Sequence, residues 1–182
     1  IGTGVGVGVC AGGKLLHGML HPEGGHILLA RHPEDPEGGI CPYHPNCLEG
    51  FASGPSIERR WGKKAVELVD KPEVWELESY YIAQALVNYI MILSPQKIIL
   101  GGGVMHQEQL FPMIREKVRE MIGGYLNTTE LADLFISHVK YGIADKGTFV
   151  HFAGELEYVE QYLKFQKIRL GSQFNYTLHF PR

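Results

Sequence analysis

The sequence has 182 residues, with 17 lysines and arginines against 20 aspartates and glutamates, so its formal net charge is −3 when the histidines are neutral. A chain with this charge lacks the strong basic excess that is typical of nucleic-acid-binding proteins. Apolar residues make up 45% of the chain and charged residues 20%, close to the averages of globular proteins. The composition therefore excludes disordered and fibrous classes, and the length is sufficient for one domain with its own core.

No segment of the sequence has the character of a membrane span or of a secretion signal. The apolar runs are much shorter than the ~18 residues that cross a bilayer, and no basic stretch followed by an apolar run opens the chain. The three cysteines show no disulfide-framework spacing, which favours a reducing compartment. We therefore expect a cytoplasmic protein without a membrane partner. Because the chain opens on Ile1 rather than Met, we also expect a truncated start.

The first predicted element is a β-hairpin. Residues 2–9 alternate strictly between glycine and larger side chains, which places Thr3 and the following valines on one face of a strand and leaves the other face bare. Gly12 and Gly13 allow the positive φ angles of a tight turn, so residues 14–18 are predicted as the returning strand.

An irregular insertion and a helix–strand–helix segment follow. Residues 31–50 combine four prolines with several glycines and two cysteines, which predicts an ordered loop rather than a helix or a strand. Between Pro72 and Pro95 the spacing predicts a helix of about 20 residues, with a buried stripe formed by Val74, Leu77, Tyr81, Ala85, Tyr89 and Ile92. A strand at residues 97–100, a glycine turn and a helix over residues 110–126 complete the pattern. These elements predict one α/β domain with a mixed sheet.

Four side chains in and near the insertion have the chemistry of zinc ligands: His26, Cys41, His44 and Cys47. Three of them fall within seven residues of a loop rich in glycine and proline. Zinc prefers thiolate and imidazole in a four-coordinate shell, and a loop without a core of its own gains most of its order from the metal. Four protein ligands leave no open position, so the predicted zinc is structural. The alternative is that the cysteines are buried small residues or a disulfide and both histidines are ordinary surface residues.

Two glycine-rich segments and two glutamates are candidates for substrate binding. The G-T-G-x-G pattern at residues 2–6 can bind phosphate oxygens through backbone N–H groups and a threonine hydroxyl. The glycines at 101–103 stand between a strand and a helix, where nucleotides often bind. A closely packed strand and an ordinary turn are the alternatives. Glu23 and Glu49 bracket the zinc loop and suit sugar hydroxyls, or else they are solvated surface charges.

Four motifs in this order resemble the ROK sugar kinase family. They are G-T-G-V-G-V-G at residues 2–8, P-E-G-G-H at 22–26, C-P-Y-H-P-N-C-L-E-G at 41–50 with A-S-G-P at 52–55, and I-I-L-G-G-G-V at 98–104. The segment R-H-P-E-D at 31–35 and the C-P-x-H form of the loop are similar to the bacterial fructokinase branch. The resemblance covers residues 1–140 and leaves 141–182 as a divergent tail of unassigned structure. The sequence pattern of that tail predicts a helix at 154–165 and an amphipathic strand at 174–180.

The resemblance implies an actin-like, ribonuclease-H-like ATPase fold of two lobes, with residues 1–140 as the C-terminal lobe and a zinc loop at 26–50. It implies ATP and Mg²⁺ as cofactors beside structural Zn²⁺, and a hexose substrate with fructose favoured. His26 then binds zinc with one ring nitrogen and the sugar with the other. By position in the motifs, the resemblance implies that Thr3 and Gly4 face the ATP phosphates and that Gly102 and Gly103 face the adenosine. It also implies that the sugar hydroxyls are bound by Glu23, His26 and Glu49.

The expected function is therefore ATP-dependent phosphorylation of a hexose, above all fructose to fructose 6-phosphate, by an enzyme that is a homodimer when complete. The family's catalytic aspartate belongs to a motif upstream of the first glycine strand, so we expect no catalytic base in this chain and no activity from the chain alone. One alternative is a sugar-responsive transcriptional repressor of the same family, whose DNA-binding region would precede this chain. Another is an inactive zinc-stabilised fragment. Only the repressor alternative implies a nucleic-acid partner.

Overall fold

The computed structural model describes residues 1–123 and the backbone of residues 136–138. Its strands and helices in chain order are β1 (Cys10–Ala11), β2 (Lys14–Leu15), α1 (Leu48–Ala52), α2 (Gly54–Trp61), α3 (Pro72–Leu93), β3 (Ile98–Leu100), α4 (Leu110–Ile122) and β4 (Ile136–His138). Short 3-10 turns occupy Gly24–His26, Ala65–Glu67 and Gly103–His106. No helix in the described part of the chain is long and apolar enough to cross a bilayer.

The predicted hairpin is present, but its strands are shorter than expected. β1 and β2 pair antiparallel, with Cys10 opposite Leu15, and residues 2–9 form no ladder with any described strand. The burial of residues 5–9 follows the predicted alternation, since Val5 is buried while Gly6 is exposed, but Thr3 is exposed although it was predicted on the same face as Val5. β3 and β4 pair in parallel. Within the described residues, the two pairs form separate sheets rather than the single mixed sheet predicted, because no hydrogen bonds join the hairpin to β3.

The core is centred on α3, against which α4 and α1 pack. The apolar stripe of α4, including Ile114 and Val118, is buried as its spacing predicts. The helix predicted after Pro72 is confirmed, and Val74 and Tyr81 on its stripe are buried. Ile92 is 79% exposed, so its assignment to the buried stripe is wrong. The last turn of α3 carries three exposed apolar residues, Met91, Ile92 and Leu93.

The insertion is irregular as far as Asn46, and a helix begins two residues later. Cys47 is the N-cap of α1, where its sulfur accepts the N–H of Gly50 at 3.3 Å. The prediction that residues 31–50 contain no helix is therefore wrong at its end. α2 was not predicted from the sequence, although Pro55 stands in its first turn. Proline fits the first turn of a helix, where its missing N–H has no partner to lose.

Close backbone contacts hold the segments around the insertion together. The N–H of Leu29 donates to the carbonyl of Asn46 at 2.8 Å, and the N–H of Leu48 donates to the carbonyl of Ile27 at 3.0 Å. At Gly25 the chain passes so near the glycine strand that a Cβ atom would lie 1.9 Å from the Val5 carbonyl oxygen. The glycine strand, the 22–30 segment and α1 are thus brought to one place.

Some predictions fall outside the described residues. The helix predicted over 110–126 is confirmed to Ile122, and its last positions, 124–126, lie beyond the described range. The tail at 141–182, with its predicted helix at 154–165 and strand at 174–180, also lies outside it.

Candidate metal centre and substrate site

The structure brings the four predicted zinc ligands together. The Cys41 sulfur lies 3.8 Å from Nδ1 of His26 and 3.8 Å from Nδ1 of His44. The Cys47 sulfur lies 3.6 Å from the same nitrogen of His26. All four ligand atoms lie within 4.8 Å of one another, and this is the one such group in the described part of the chain. Two histidines and two cysteines that are separated in sequence therefore form a single cluster.

The geometry and chemistry of this cluster fit Zn²⁺. In a tetrahedral site with Zn–S near 2.3 Å and Zn–N near 2.0 Å, neighbouring ligand atoms stand about 3.3–3.8 Å apart, which matches the three sulfur–nitrogen distances given above. All three cysteines of the chain are free, so the disulfide alternative is not what the structure adopts. Cys47 is fully buried. Burial raises the pKa of its thiol, and the hydrogen bond from the Gly50 N–H opposes this shift. A cation among the ligands would supply the positive charge that stabilises a buried thiolate.

Glu49 joins this cluster to the glycine strand. Its Oε2 accepts the backbone N–H of Val5 at 2.9 Å, and its Oε1 lies 3.9 Å from Nε2 of His26. Because Nδ1 of His26 faces the two sulfurs, the two nitrogens of one ring point to different groups. Both side chains are about one-quarter to one-third exposed, at 26% and 31%. A solvent-accessible carboxylate beside an imidazole N–H is suited to hydrogen-bonding hydroxyl groups.

The other predicted substrate residues differ in how close they lie to Glu49. Gly4 is next to it, since a Cβ atom at Gly4 would stand 2.8 Å from Oε2 of Glu49. Thr3 is exposed. Glu23 is exposed and begins the turn that carries His26, where its carbonyl accepts the His26 N–H at 2.9 Å. Glu23 is thus close to His26 along the chain, and its carboxylate has no ion pair among the described residues.

The two glycine-rich segments lie side by side. The N–H of Val104 donates to the Ile1 carbonyl at 3.1 Å, and a Cβ atom at Gly2 would stand 3.9 Å from the Gly103 nitrogen. Gly102 has a φ of +99°, a conformation that favours glycine. Gly103 has no atom within 4 Å of its Cβ position, so this surface is open. The structure therefore places the predicted phosphate and adenosine segments next to each other.

Sequence reasoning missed a buried charged cluster behind the loop. Oδ2 of Asp35 accepts the Tyr81 hydroxyl at 2.7 Å and lies 3.2 Å from Nη2 of Arg60. Arg60 also donates to the carbonyl of Phe51, in α1. Burial opposes ionisation of Asp35, but the Tyr81 hydroxyl and Arg60 outweigh it and hold the pKa of Asp35 below its usual value. The cluster ties the insertion to α1, α2 and α3.

Glu78 lies near this cluster and was also missed. It is 1% exposed, and its Oε1 has no hydrogen-bond partner among the described residues. Burial raises its pKa to about 8, opposed by Arg60 and reinforced by Asp35. The available signal was its position four residues after Val74, on the buried stripe of α3.

Comparison with known proteins gives consistent results. The model of the ROK family matches residues 1–147. A Bacillus subtilis (strain 168) protein called "Putative fructokinase" is 59% identical over 133 residues, covering 73% of this chain and 44% of that protein. The fructokinase of Pediococcus pentosaceus is 48% identical, covering 75% and 47%. The fructokinase of Streptococcus mutans is 41% identical, covering 75% and 48%. The chain spans about half the length of these relatives.

Solved structures show the same fold. The ROK hexokinase from Thermus thermophilus superposes with a TM-score of 0.65 at 24% identity, covering 79% of this chain and 51% of that one. A ROK family protein from Streptococcus pneumoniae TIGR4 in complex with sucrose superposes with a TM-score of 0.58 at 18% identity, covering 92% and 57%. The predicted actin-like ATPase fold is confirmed at this level. The motifs, the fold and the family model agree, and this chain belongs to the ROK family.

Proposed function

We propose that this chain serves an ATP-dependent sugar kinase that phosphorylates a hexose, with fructose as the favoured substrate. The observation that carries the proposal is the position of Glu49, whose carboxylate lies between the Val5 N–H of the glycine strand and Nε2 of His26. This arrangement puts groups suited to sugar hydroxyls directly beside a backbone segment suited to phosphate.

The names of the relatives support a kinase. The proteins from Pediococcus pentosaceus and Streptococcus mutans are fructokinases, and a relative from Thermotoga maritima, at 30% identity, is a glucokinase. These names favour the kinase over the repressor of the same family. Fructose is favoured over glucose because the relatives with the higher identities are fructokinases.

The residues of this chain then take the following roles. Nε2 of His26 and the carboxylates of Glu49 and Glu23 bind sugar hydroxyls and fix which hydroxyl faces the phosphate. Thr3 and Gly4 face the ATP phosphates, where a glycine backbone lets charged oxygens approach its N–H groups. Gly102 and Gly103 face the adenosine, and the surface at Gly103 is open. ATP with Mg²⁺ supplies the transferred phosphoryl group.

The proposed zinc has a structural role. His26, Cys41, His44 and Cys47 complete a four-coordinate shell, which leaves no position for a substrate. A metal held at Nδ1 of His26 fixes the orientation of the ring, and therefore the direction of Nε2 towards Glu49. The metal centre thus shapes the sugar site without touching the sugar.

The test is a coupled assay of ADP release by the complete gene product with ATP and Mg²⁺, using fructose and glucose in parallel. We expect sugar-dependent ADP release with a higher kcat/KM for fructose. ADP release with glucose alone would overturn the fructose preference and leave the kinase standing. Sugar binding without ADP release, together with specific DNA binding, would overturn the kinase and support the repressor.

A further inference from the structure

His26 is the zinc-ligand candidate that lies outside the 41–47 loop, 15 residues before Cys41. It sits on the short 3-10 turn Gly24–His26, and the segment that follows is otherwise irregular. An isolated antiparallel bridge between Leu28 and Cys47 joins this segment to the loop. A ligand that is distant along the chain is costly to hold in place by the metal alone, since the closure of an intervening loop loses entropy.

Helix α3 makes side-chain hydrogen bonds to the backbone of this segment. The Tyr89 hydroxyl donates to the Gly24 carbonyl at 2.8 Å. The Gln84 side-chain amide accepts the N–H of Ala30 at 3.0 Å and donates to the Ala30 carbonyl at 2.9 Å. One helix thus fixes the backbone on both sides of His26.

A third contact shows the direction in which the segment runs. The Tyr81 hydroxyl accepts the N–H of His32 at 3.1 Å while it donates to Asp35. Position 89 therefore meets position 24, position 84 meets 30, and position 81 meets 32. The partners run in opposite order along the helix and the segment, so the segment lies antiparallel along α3 with its backbone fixed at three points. None of these three contacts involves a proposed metal ligand side chain.

We propose that Tyr89 and Gln84 are positioning residues that hold His26 in its metal-binding position before the metal arrives. This inference rests on the metal centre of the proposed function. Its consequence is that the metal completes a site that α3 has already formed on one side, whereas the sequence alone suggested a loop ordered mainly by metal. Tyr89 has the larger role, because its hydrogen bond is partly buried and lies two residues from His26, while both bonds of Gln84 are exposed.

The experiment compares the unmodified 182-residue chain with Tyr89→Phe, Gln84→Ala and Tyr80→Phe. Tyr80→Phe is the matched control: it removes the same hydroxyl from another tyrosine of the same helix, and the Tyr80 hydroxyl has no hydrogen bond to the described residues. Zinc affinity is measured by competition with a chromophoric chelator. Amide hydrogen exchange is measured on the metal-free protein for residues 24–30 and, separately, for residues 41–47.

We expect Tyr89→Phe to weaken zinc binding by about 3- to 10-fold, the range for one neutral hydrogen bond, with the stoichiometry at saturating zinc unchanged. Gln84→Ala should have a smaller effect in the same direction, and Tyr80→Phe none. In the metal-free Tyr89→Phe protein, exchange should become faster at residues 24–30 and stay unchanged at 41–47. A general loss of stability would accelerate both segments, so this pattern separates positioning from a merely structural role.

Two results overturn the inference in distinguishable ways. If the unmodified chain binds zinc and Tyr89→Phe binds it equally well, the positioning role is wrong and the metal centre stands. If the unmodified chain binds no zinc, or binds it equally well after Cys47→Ser, the metal centre itself is wrong and the inference falls with it.

Discussion

The backbone N–H of Val5 donates to Oε2 of Glu49 at 2.9 Å, across 44 residues of sequence. The other oxygen of the same carboxylate lies 3.9 Å from Nε2 of His26. One side chain therefore contacts both the glycine strand and the ring whose other nitrogen faces the cysteine sulfurs. A rearrangement of the four-ligand cluster can therefore reach the glycine strand through Glu49, so we expect the proposed metal and substrate functions to be coupled.

The first prediction concerns metal stoichiometry. The purified 182-residue chain should contain one zinc ion, and Cys47→Ser should lose it, because a hydroxyl is a poor replacement for a buried thiolate ligand. Inductively coupled plasma mass spectrometry of the two proteins measures the difference directly. Cys10→Ser is the matched control, since Cys10 is exposed and lies outside the cluster. Equal zinc content in the Cys47→Ser and Cys10→Ser proteins would remove Cys47 from the ligand set.

The second prediction separates sugar binding from ATP binding. In the complete enzyme, Glu49→Gln should raise KM for fructose much more than KM for ATP, because it replaces a charged acceptor for sugar hydroxyls at a cost of about 1–3 kcal/mol. The glutamine oxygen can still accept the Val5 N–H, so the local fold is retained. Steady-state kinetics with each substrate varied in turn gives both constants. An equal rise in the two constants would place Glu49 outside the sugar site.

The residues of the site could be predicted from the sequence better than the elements that support them. The Cys-x2-His-x2-Cys spacing predicts candidate ligands because zinc chemistry restricts both residue type and separation, and the structure brings these side chains together. The helical periodicity after Pro72 correctly predicts α3, since apolar spacing is a local property. His26 was included for its side-chain chemistry and its place near the loop, whereas its approach to Cys41 depends on tertiary contacts that spacing does not encode.

Other features depend on long-range contacts that no local pattern encodes. Asp35 reads as one of many charges in a loop, and its burial beside Arg60 appears only once α2 packs there. The glycine strand alternates as a strand should, yet a ladder also needs partners, and among the described residues it begins only at Cys10. The start of α1 was not predicted, because its N-cap is Cys47 and cysteine is uncommon at this position.

The third prediction concerns the buried ion pair of Asp35 and Arg60. Their side chains are 0% and 4% exposed. Arg60→Met should lower the free energy of unfolding by about 3–5 kcal/mol, because it leaves a buried carboxylate without its partner. Arg59→Met is the control at the next position: Arg59 and its partner Glu37 are both about half exposed and 3.9 Å apart, so its loss should be below about 1 kcal/mol. Similar denaturant midpoints for the two variants would contradict this.

The fourth prediction follows from the pKa of Glu78, which burial raises from 4.5 to about 8. Between these values the folded protein keeps a proton that the unfolded chain releases, so rising pH favours unfolding. Glu78→Gln removes this titration. The stability of the unmodified protein relative to that variant should fall by about 1 kcal/mol per pH unit between pH 5.5 and 7.5, measured by denaturant unfolding of metal-free protein. Glu76→Gln, at an exposed site on the same helix, should show no such slope, and a flat difference for Glu78→Gln would refute the prediction.

The last prediction concerns the close approach of Gly25 to the glycine strand. A Cβ atom at Gly25 would lie 1.9 Å from the carbonyl oxygen of Val5 and 2.9 Å from its carbonyl carbon. Backbone atoms cannot rotate away as a side chain can, so Gly25→Ala should displace the adjoining His26, weaken zinc binding and lower stability by roughly 1–3 kcal/mol or more. At Gly6 the added methyl group meets no atom within 4 Å, so Gly6→Ala should behave like the unmodified chain in thermal unfolding and chelator competition. If both alanine variants bind zinc equally well, the metal centre does not depend on this approach.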